Sequence, residues 1–136
     1  MKRVTGIGGI FFKSSDPTSL KQWYRDHLGI DAGQYGATFT WRDFEEPDRE
    51  GQTAWSLFPQ DTKYFEPGTA PFMINYRVDD LEGLLAALRA EGVAVDDRIE
   101  SYPYGRFAWI SDPEGNRIEL WEPTESSPDS SDESTE

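Results

Sequence analysis

The feature that most constrains the fold is an internal repeat of about 64 residues. Residues 4–59 and 71–123 each read as a strand, a helix and then three strands, in the order βαβββ. The matched positions are Ile10 with Ile74, Phe12 with Tyr76, Leu20 with Leu84, and residues 55–58 with residues 118–121. The two halves share the pattern of apolar and capping positions, but few of the matched residues are identical. Because neither module can bury a sheet face alone, we expect them to pack sheet to sheet and enclose a cleft.

Helix and strand signals delimit the elements of each module. Asp16 is typical of a helix N-cap, Pro17 of a first helical position, and Gly29 of a helix end. In the second half, Asp80 precedes leucines in helical register, and the helix ends near Gly92. The predicted strands are residues 5–13, 37–43, 52–58, 72–78, 104–111 and 116–121, and residues 60–70 are the predicted linker.

A turn and a strand near residue 120 supply the main candidate functional residue. Residues 112–116 (DPEGN) are rich in residues that favour tight turns. The strand that follows has a period of two, which places Glu119 and Trp121 on one face. A carboxylate beside an indole, directly after a hairpin, is well placed to point into a pocket.

Composition excludes several classes of function. The 136 residues include 26 acidic and 13 basic ones, and the net charge of −13 argues against nucleic-acid binding. Cysteine is absent, which excludes disulfides and thiolate ligands. We see no apolar run of membrane-spanning length and no signal peptide, and we expect a cytoplasmic protein without membrane contact. Residues 124–136 predict an acidic disordered tail.

Two segments carry a resemblance to a known superfamily. They are GIGGIFFKSSDPTSLKQWYRDHLGI (residues 6–30) and SDPEGNRIELWEP (residues 111–123). Both resemble the vicinal oxygen chelate superfamily, which includes glyoxalase I, extradiol dioxygenases, fosfomycin-modifying transferases and bleomycin-resistance proteins. The resemblance implies an α+β fold in which two paired βαβββ modules form a cupped mixed sheet around a central cleft. It covers nearly all of one domain, residues 1–123.

The resemblance also locates the positions that bind metal in other members. Those members place His, Glu or sometimes Gln at four positions, which correspond here to Gly9, Ser56, Met73 and Glu119. Only Glu119 keeps a ligand-type side chain, and divalent sites of this kind need three or four protein ligands. His27, the only histidine, is expected on the outer helix. We therefore expect no metal and no cofactor, and no metal-dependent glyoxalase or dioxygenase activity.

Several residues are candidates for chemistry or binding. Glu119 is the candidate catalytic base if burial raises its pKa; alternatively, basic or backbone groups hold it in place. Lys13 and Arg77 are expected at matching ends of two strands. Either they point inward and bind an anionic ligand, or they lie in solvent and pair with Asp16 and Asp79. The residues assigned to the ligand-binding cleft are Phe11, Lys13, Trp41, Trp55, Ser56, Met73, Asn75, Arg77, Tyr104 and Trp121.

Three functions remain open from the sequence. The first is metal-independent binding of a small organic molecule in the cleft between the modules. The second is a lyase or isomerase in which Glu119 removes a proton alpha to a carbonyl group. The third is a non-catalytic structural or interaction module. Since members of the superfamily commonly pair modules across a dimer, the resemblance also implies a homodimer.

Overall fold

Eight strands and two helices form an α+β arrangement in residues 3–124 of the computed structural model, which are the residues that the structure describes. The predicted tail lies outside the described residues except for Thr124. The elements are β1 (Val4–Ser14), α1 (Pro17–Leu28), β2 (Ala37–Arg42), β3 (Glu50–Pro59), β4 (Phe72–Val78), α2 (Leu81–Ala90), β5 (Ala94–Val95), β6 (Glu100–Tyr102), β7 (Gly105–Ser111) and β8 (Arg117–Pro123). Neither helix is long and apolar enough to cross a membrane.

All eight strands belong to one mixed sheet. Its order is β2-β3-β1-β4-β8-β7-β5, and β6 pairs with β7. The modules meet where β1 runs antiparallel to β4, with Ile10 opposite Ile74. They therefore join edge to edge and do not pack sheet to sheet as the repeat suggested. Edge pairing satisfies the backbone groups that two separate modules would leave exposed.

The strands are divided unequally between the modules. The first module contributes three strands and the second contributes five within the described residues. Between α1 and β2, the structure has only an isolated bridge from Gly33 to Gly36, because the glycine-rich segment turns instead of extending. The total of eight matches two βαβββ modules, although the repeat predicted four strands in each.

Both helices lie on the same face of the sheet. Asp16 caps α1 by accepting a hydrogen bond from the Ser19 N–H at 3.2 Å, and Gly29 ends that helix with φ of 71°. α2 buries Leu81, Leu84 and Leu85 against β4, β7 and β8, whereas α1 buries none of its residues completely. The opposite face, which we call the helix-free face, carries Glu119 and its neighbours.

The predicted linker covers part of the helix-free face. Phe65, in the middle of this segment, is only 1% exposed and packs with Met73 and Trp109. Phe11 and Phe58 pack against the same cluster. The linker is therefore part of the protein core, and it decides how much of the helix-free face remains open to a ligand.

Candidate functional site

Glu119 lies in the centre of the helix-free face and is held by three donors. The strand register places Asn75 of β4 on one side of it and Trp109 of β7 on the other. The Asn75 amide donates to Oε1 at 2.7 Å, and the Trp109 indole N–H donates to Oε2 at 3.1 Å. The hydroxyl of Tyr64, from the linker, also donates to Oε2. Glu119 itself is 2% exposed.

Burial governs the electrostatics of this cluster. It raises the pKa of Glu119 above the usual glutamate value, against the opposing effect of the three donors and of the charge on Arg117. Burial and the nearby carboxylate also raise the pKa of Tyr64. The phenol therefore keeps its proton and remains a donor to Glu119 at physiological pH.

Two observations bear on the sequence-based alternatives for Glu119, whose role stays a prediction. A general base needs a lone pair within reach of the substrate proton, and here both carboxylate oxygens already accept hydrogen bonds beneath the linker. The basic neighbours do not hold it either. Arg117 makes paired hydrogen bonds of 3.0 and 2.8 Å to Asp96, and Lys13 lies 5.7 Å from the ring centroid of Phe65.

One buried polar atom beside Glu119 has no hydrogen-bond partner. This atom is Asn75 Oδ1. A Cβ on Gly8 would collide with it, so the glycine allows the amide to lie against β1. The amide nitrogen is thereby directed at Glu119, and position 8 on β1 admits no larger residue without movement of Asn75.

The four positions that bind metal in other members do not fit a divalent cation here. Met73 is fully buried in the aromatic cluster, and Ser56 donates its hydroxyl to the Tyr35 carbonyl at 3.1 Å. A Cβ on Gly9 would meet the Phe11 ring. Within residues 3–124, no three His, Cys, Asp or Glu side chains come close enough to bind a metal ion. His27 stacks on Trp23 of α1 at 4.8 Å, away from this face.

An open cavity of about 660 Å³ lies beyond Glu119, at the end of the sheet where β4 and β8 finish. Residues of both modules line it: Thr5, Arg49, Glu50, Arg77, Val78, Asp79, Tyr102, Gly105, Arg106, Glu122, Pro123 and Thr124. The cavity thus crosses the junction between the modules, where the sequence predicted a cleft.

Arg77 is the central cation of this cavity. Its guanidinium carbon lies 5.6 Å from the ring centroid of Trp41 and 5.0 Å from that of Trp121. Among the described residues no carboxylate accepts a hydrogen bond from it, because Asp79, the acid expected to pair with it, binds Arg49. Burial and the charge on Arg49 lower the pKa of Arg77.

Aromatic rings extend from Trp121 along one side of the cavity. Trp121 stacks on Phe107 with centroids 5.8 Å apart, and its indole N–H donates to the Tyr104 carbonyl at 3.0 Å. Tyr102 and Tyr104 stack on each other at 5.4 Å and meet Phe107 edge-on. We call this set the aromatic ledge: Tyr102, Tyr104, Phe107 and Trp121.

The structure divides the predicted cleft residues into separate groups. Phe11, Lys13, Met73 and Asn75 surround the covered Glu119 cluster, whereas Trp41, Arg77, Tyr104 and Trp121 surround the open cavity. Ser56 lies apart, beside a smaller cavity of 200 Å³ that Tyr35 also lines. Whether any of these residues binds a ligand stays a prediction.

Trp55 requires a correction. Its ring meets Phe12 and Tyr24 edge-on at 5.6 and 4.9 Å, beneath α1. It therefore lies on the helix side of the sheet and not in the predicted cleft. The physical reason is the period of two: Trp55 and Ser56 are consecutive on β3, so they cannot both point to the same face.

Sequence reasoning missed four residues of these sites. Trp109 was detectable in principle, because an antiparallel hairpin between β7 and β8 places it opposite Glu119. Tyr64 and Phe65 had no such signal, since a linker has no strand register that relates it to the sheet. Arg49 likewise approaches the cavity from a loop.

Comparisons with known proteins agree with this fold. The family model described as Glyoxalase/Bleomycin resistance protein/Dioxygenase superfamily matches residues 6–120. Methylmalonyl-CoA epimerase from Mycobacterium tuberculosis is 21% identical, with 97% of this chain and 95% of that chain covered and a TM-score of 0.57. Methylmalonyl-CoA epimerase from Streptomyces coelicolor, in complex with 2-nitronate-propionyl-CoA, is 18% identical over 89% and 99%, with a TM-score of 0.65.

A metal-bound protein is also similar. The Mn(II)-bound glyoxalase from Novosphingobium aromaticivorans is 19% identical over 90% of this chain and 40% of that chain, with a TM-score of 0.59. At these identities the structural likeness shows the fold alone. No curated protein sequence matched the chain. The family model covers most of the chain, and the protein belongs to the glyoxalase/bleomycin resistance protein/dioxygenase superfamily.

Proposed function

We propose that this protein binds a small organic anion in the cavity beside Arg77. The observation that carries the proposal is a half-buried guanidinium between Trp41 and Trp121 to which no described carboxylate is hydrogen-bonded. Removing a charge from water is costly unless a partner of opposite charge compensates it. A ligand carboxylate or phosphate would supply that partner and accept two parallel hydrogen bonds from the fork of the guanidinium.

The acids that line the cavity have other partners and do not compensate the charge of Arg77. Asp79 binds Arg49, and Glu122 accepts a hydrogen bond of 2.8 Å from the Leu81 N–H at the start of α2. Glu50 lies 3.8 Å from Arg42. Arg49 pairs with Asp79 and Arg106 pairs with Glu82 at 2.7 Å. Among the three arginines that line the cavity, Arg77 is therefore the one without a hydrogen-bonded carboxylate in residues 3–124.

The aromatic ledge indicates the chemistry of the part of the ligand that lies away from its anionic group. Tyr102 lines the cavity, and its ring continues the aromatic surface that begins at Trp121. Offset stacking on such a surface favours a flat, unsaturated body. An aryl carboxylate is the simplest compound that combines this body with an anionic group for Arg77.

Benzoate is a suitable first probe. We expect saturable binding by isothermal titration calorimetry, at least tenfold weaker in Arg77→Gln and weaker at high ionic strength. Benzyl alcohol tests whether the charge is needed, and Arg89→Gln, which removes an exposed arginine of α2, is the matched control. Benzoate binding that is equal in wild type and Arg77→Gln would refute the proposal, as would the absence of binding by both benzoate and inorganic phosphate.

An isomerase or lyase that uses Glu119 is a second candidate. The observation that favours it is the raised pKa of this buried carboxyl group, which is typical of catalytic acids and bases. Tyr64 would have to move before a substrate could reach it. Exchange of protons alpha to the carbonyl of candidate substrates with deuterated solvent tests the idea, and exchange that persists in Glu119→Gln would remove Glu119 from the mechanism.

A homodimer is consistent with the surface of α1. Trp23 and Leu28 are 48% and 59% exposed, and this helix buries none of its residues within the described chain. Apolar side chains of this size are common where a second subunit packs. Light scattering should give twice the monomer mass of 15.5 kDa, and a monomer at all concentrations would refute the dimer.

A further inference from the structure

The charges that line the Arg77 cavity cancel when they are counted together. The lining includes three arginines and three acids: Arg49, Arg77, Arg106, Glu50, Asp79 and Glu122. Their formal charges sum to zero, and the protein as a whole carries a net charge of −13. The attraction of the cavity for an anion is therefore local to Arg77 and does not extend over the whole cavity.

The other two arginines are already compensated. Arg49 donates to the Asp79 carboxylate, and Arg106 donates to Glu82 at 2.7 Å. The charge of Arg49 lowers the pKa of Arg77, whereas the charge of Asp79 raises it. Asp79 is therefore close enough to Arg77 to act on any anion that binds there, and its effect on such an anion is repulsive.

We propose that the Arg77 cavity selects organic anions with a single negative charge and rejects dianions. This inference rests on the ligand site proposed above and specifies the class of compound that the site accepts. A first carboxylate pairs with Arg77. A second one would face the three acids of the lining, while the other two arginines are held by carboxylates of the protein. Repulsion between like charges is stronger beside protein than in bulk water, because the effective dielectric constant is lower there.

The aromatic ledge favours the same selection. Tyr102 lines the cavity and stacks on Tyr104, and the faces of such rings carry partial negative charge. The Tyr102 hydroxyl donates to Glu100 at 2.6 Å, so its proton is not available to a second carboxylate. The part of the ligand that lies away from Arg77 is therefore flat and uncharged.

Two compounds of nearly the same shape test this selection. Terephthalate carries a carboxylate at each end, and 4-acetylbenzoate has a neutral methyl ketone in place of one of them. By isothermal titration calorimetry, wild type should bind 4-acetylbenzoate about tenfold more tightly than terephthalate at low salt. The ratio should fall in 1 M salt, because screening weakens repulsion but does not change a steric clash.

The outcomes of this comparison separate the inference from the ligand site itself. Equal affinities, tighter binding of terephthalate, or a ratio that does not change with salt would overturn the selection of single charges and leave the anion site at Arg77 intact. Absence of binding by benzoate, 4-acetylbenzoate and terephthalate alike would instead refute the ligand site, and this inference with it.

Asp79→Asn tests the cause of the selection. The substitution removes one acid and releases Arg49, so terephthalate affinity should rise about tenfold and 4-acetylbenzoate affinity about threefold or less. Asp26→Asn is the matched control, because it makes the same change of charge on α1, where Asp26 is exposed and accepts a hydrogen bond from Gln22 at 2.8 Å. A ratio of the two affinities that stays at the wild-type value in Asp79→Asn, or that shifts equally in Asp26→Asn, would overturn the proposal.

Discussion

The two ends of the helix-free face are built from the same strands and have opposite characters. At the covered end, Asn75 and Glu119 hydrogen-bond beneath the linker. Two residues further along the same strands, Arg77 and Trp121 face an open cavity. The covered end satisfies its charge with three internal donors, whereas the open end leaves an arginine between aromatic rings.

The open end of the helix-free face is the end at which we expect a ligand to bind. The position that binds metal in other superfamily members has become part of the core, because Phe65 fills the space and Tyr64 supplies a hydrogen bond there. The uncompensated charge lies instead beside the aromatic ledge. Stability is therefore expected to depend on the covered end and anion binding on the open end, and the following experiments test that division.

The largest expected effect is on stability, from Phe65→Ala. Removing this buried ring leaves a cavity beneath the linker and should lower the free energy of unfolding by about 3–5 kcal/mol. Tyr104→Ala, on the half-exposed aromatic ledge, is the matched control and should cost about 1 kcal/mol or less. Urea unfolding measures both variants, and equal losses would contradict the division of roles.

Glu119→Gln should have an intermediate effect. The amide NH₂ of the new side chain replaces one carboxylate oxygen, so it faces either the Asn75 donor or the donors of Trp109 and Tyr64. At least one buried donor therefore loses its acceptor. We expect a loss of about 1–3 kcal/mol by urea unfolding, with benzoate binding at Arg77 unchanged. A variant as stable as wild type would show that these hydrogen bonds contribute nothing net.

The same variant tests the electrostatics of Glu119. Because its folded-state pKa is raised, Glu119 contributes stability that is fully present below the ordinary glutamate pKa of 4.5 and is lost as the pH rises through the folded value. The stability advantage of wild type over Glu119→Gln should therefore shrink from acid to neutral pH. Asp96, whose pKa is lowered by Arg117, changes stability in the opposite direction but is common to both proteins and cancels.

Tyr64→Phe should have the smallest effect on stability. The ring is 41% exposed and stacks on Phe58 at 5.6 Å, so the substitution removes mainly one hydrogen bond to Glu119. A loss of about 1 kcal/mol is expected in thermal unfolding. Hydrogen exchange of linker amides should quicken relative to Tyr102→Phe, because the Tyr102 hydroxyl donates to Glu100 at the end of the sheet and does not contact the linker cluster. Identical exchange in the two variants would show that Tyr64 does not hold the linker down.

Local sequence patterns predicted most of the fold. Asp16 and Gly29 mark the ends of the first helix, and the turn at residues 112–116 places Glu119 and Trp121 on one face, as the structure shows. These features depend on neighbours within a few residues, so their physical causes are visible in the chain itself. The internal repeat likewise reveals two modules, because each repeats the same order of local signals.

Contacts between distant residues required the tertiary structure. The linker carries no periodic pattern, so nothing in it shows that Tyr64 reaches Glu119, which is 55 residues away. The choice of Arg49 rather than Arg77 as the partner of Asp79 depends on how a loop meets a strand end. Local patterns in the sequence were sufficient to predict two modules that each begin with a strand and a helix, and to place Glu119 on the last strand. The tertiary contacts were needed to show that the linker covers this carboxylate and that Arg77 lines the open cavity. The physical reason is that local periodicity does not encode packing between distant residues.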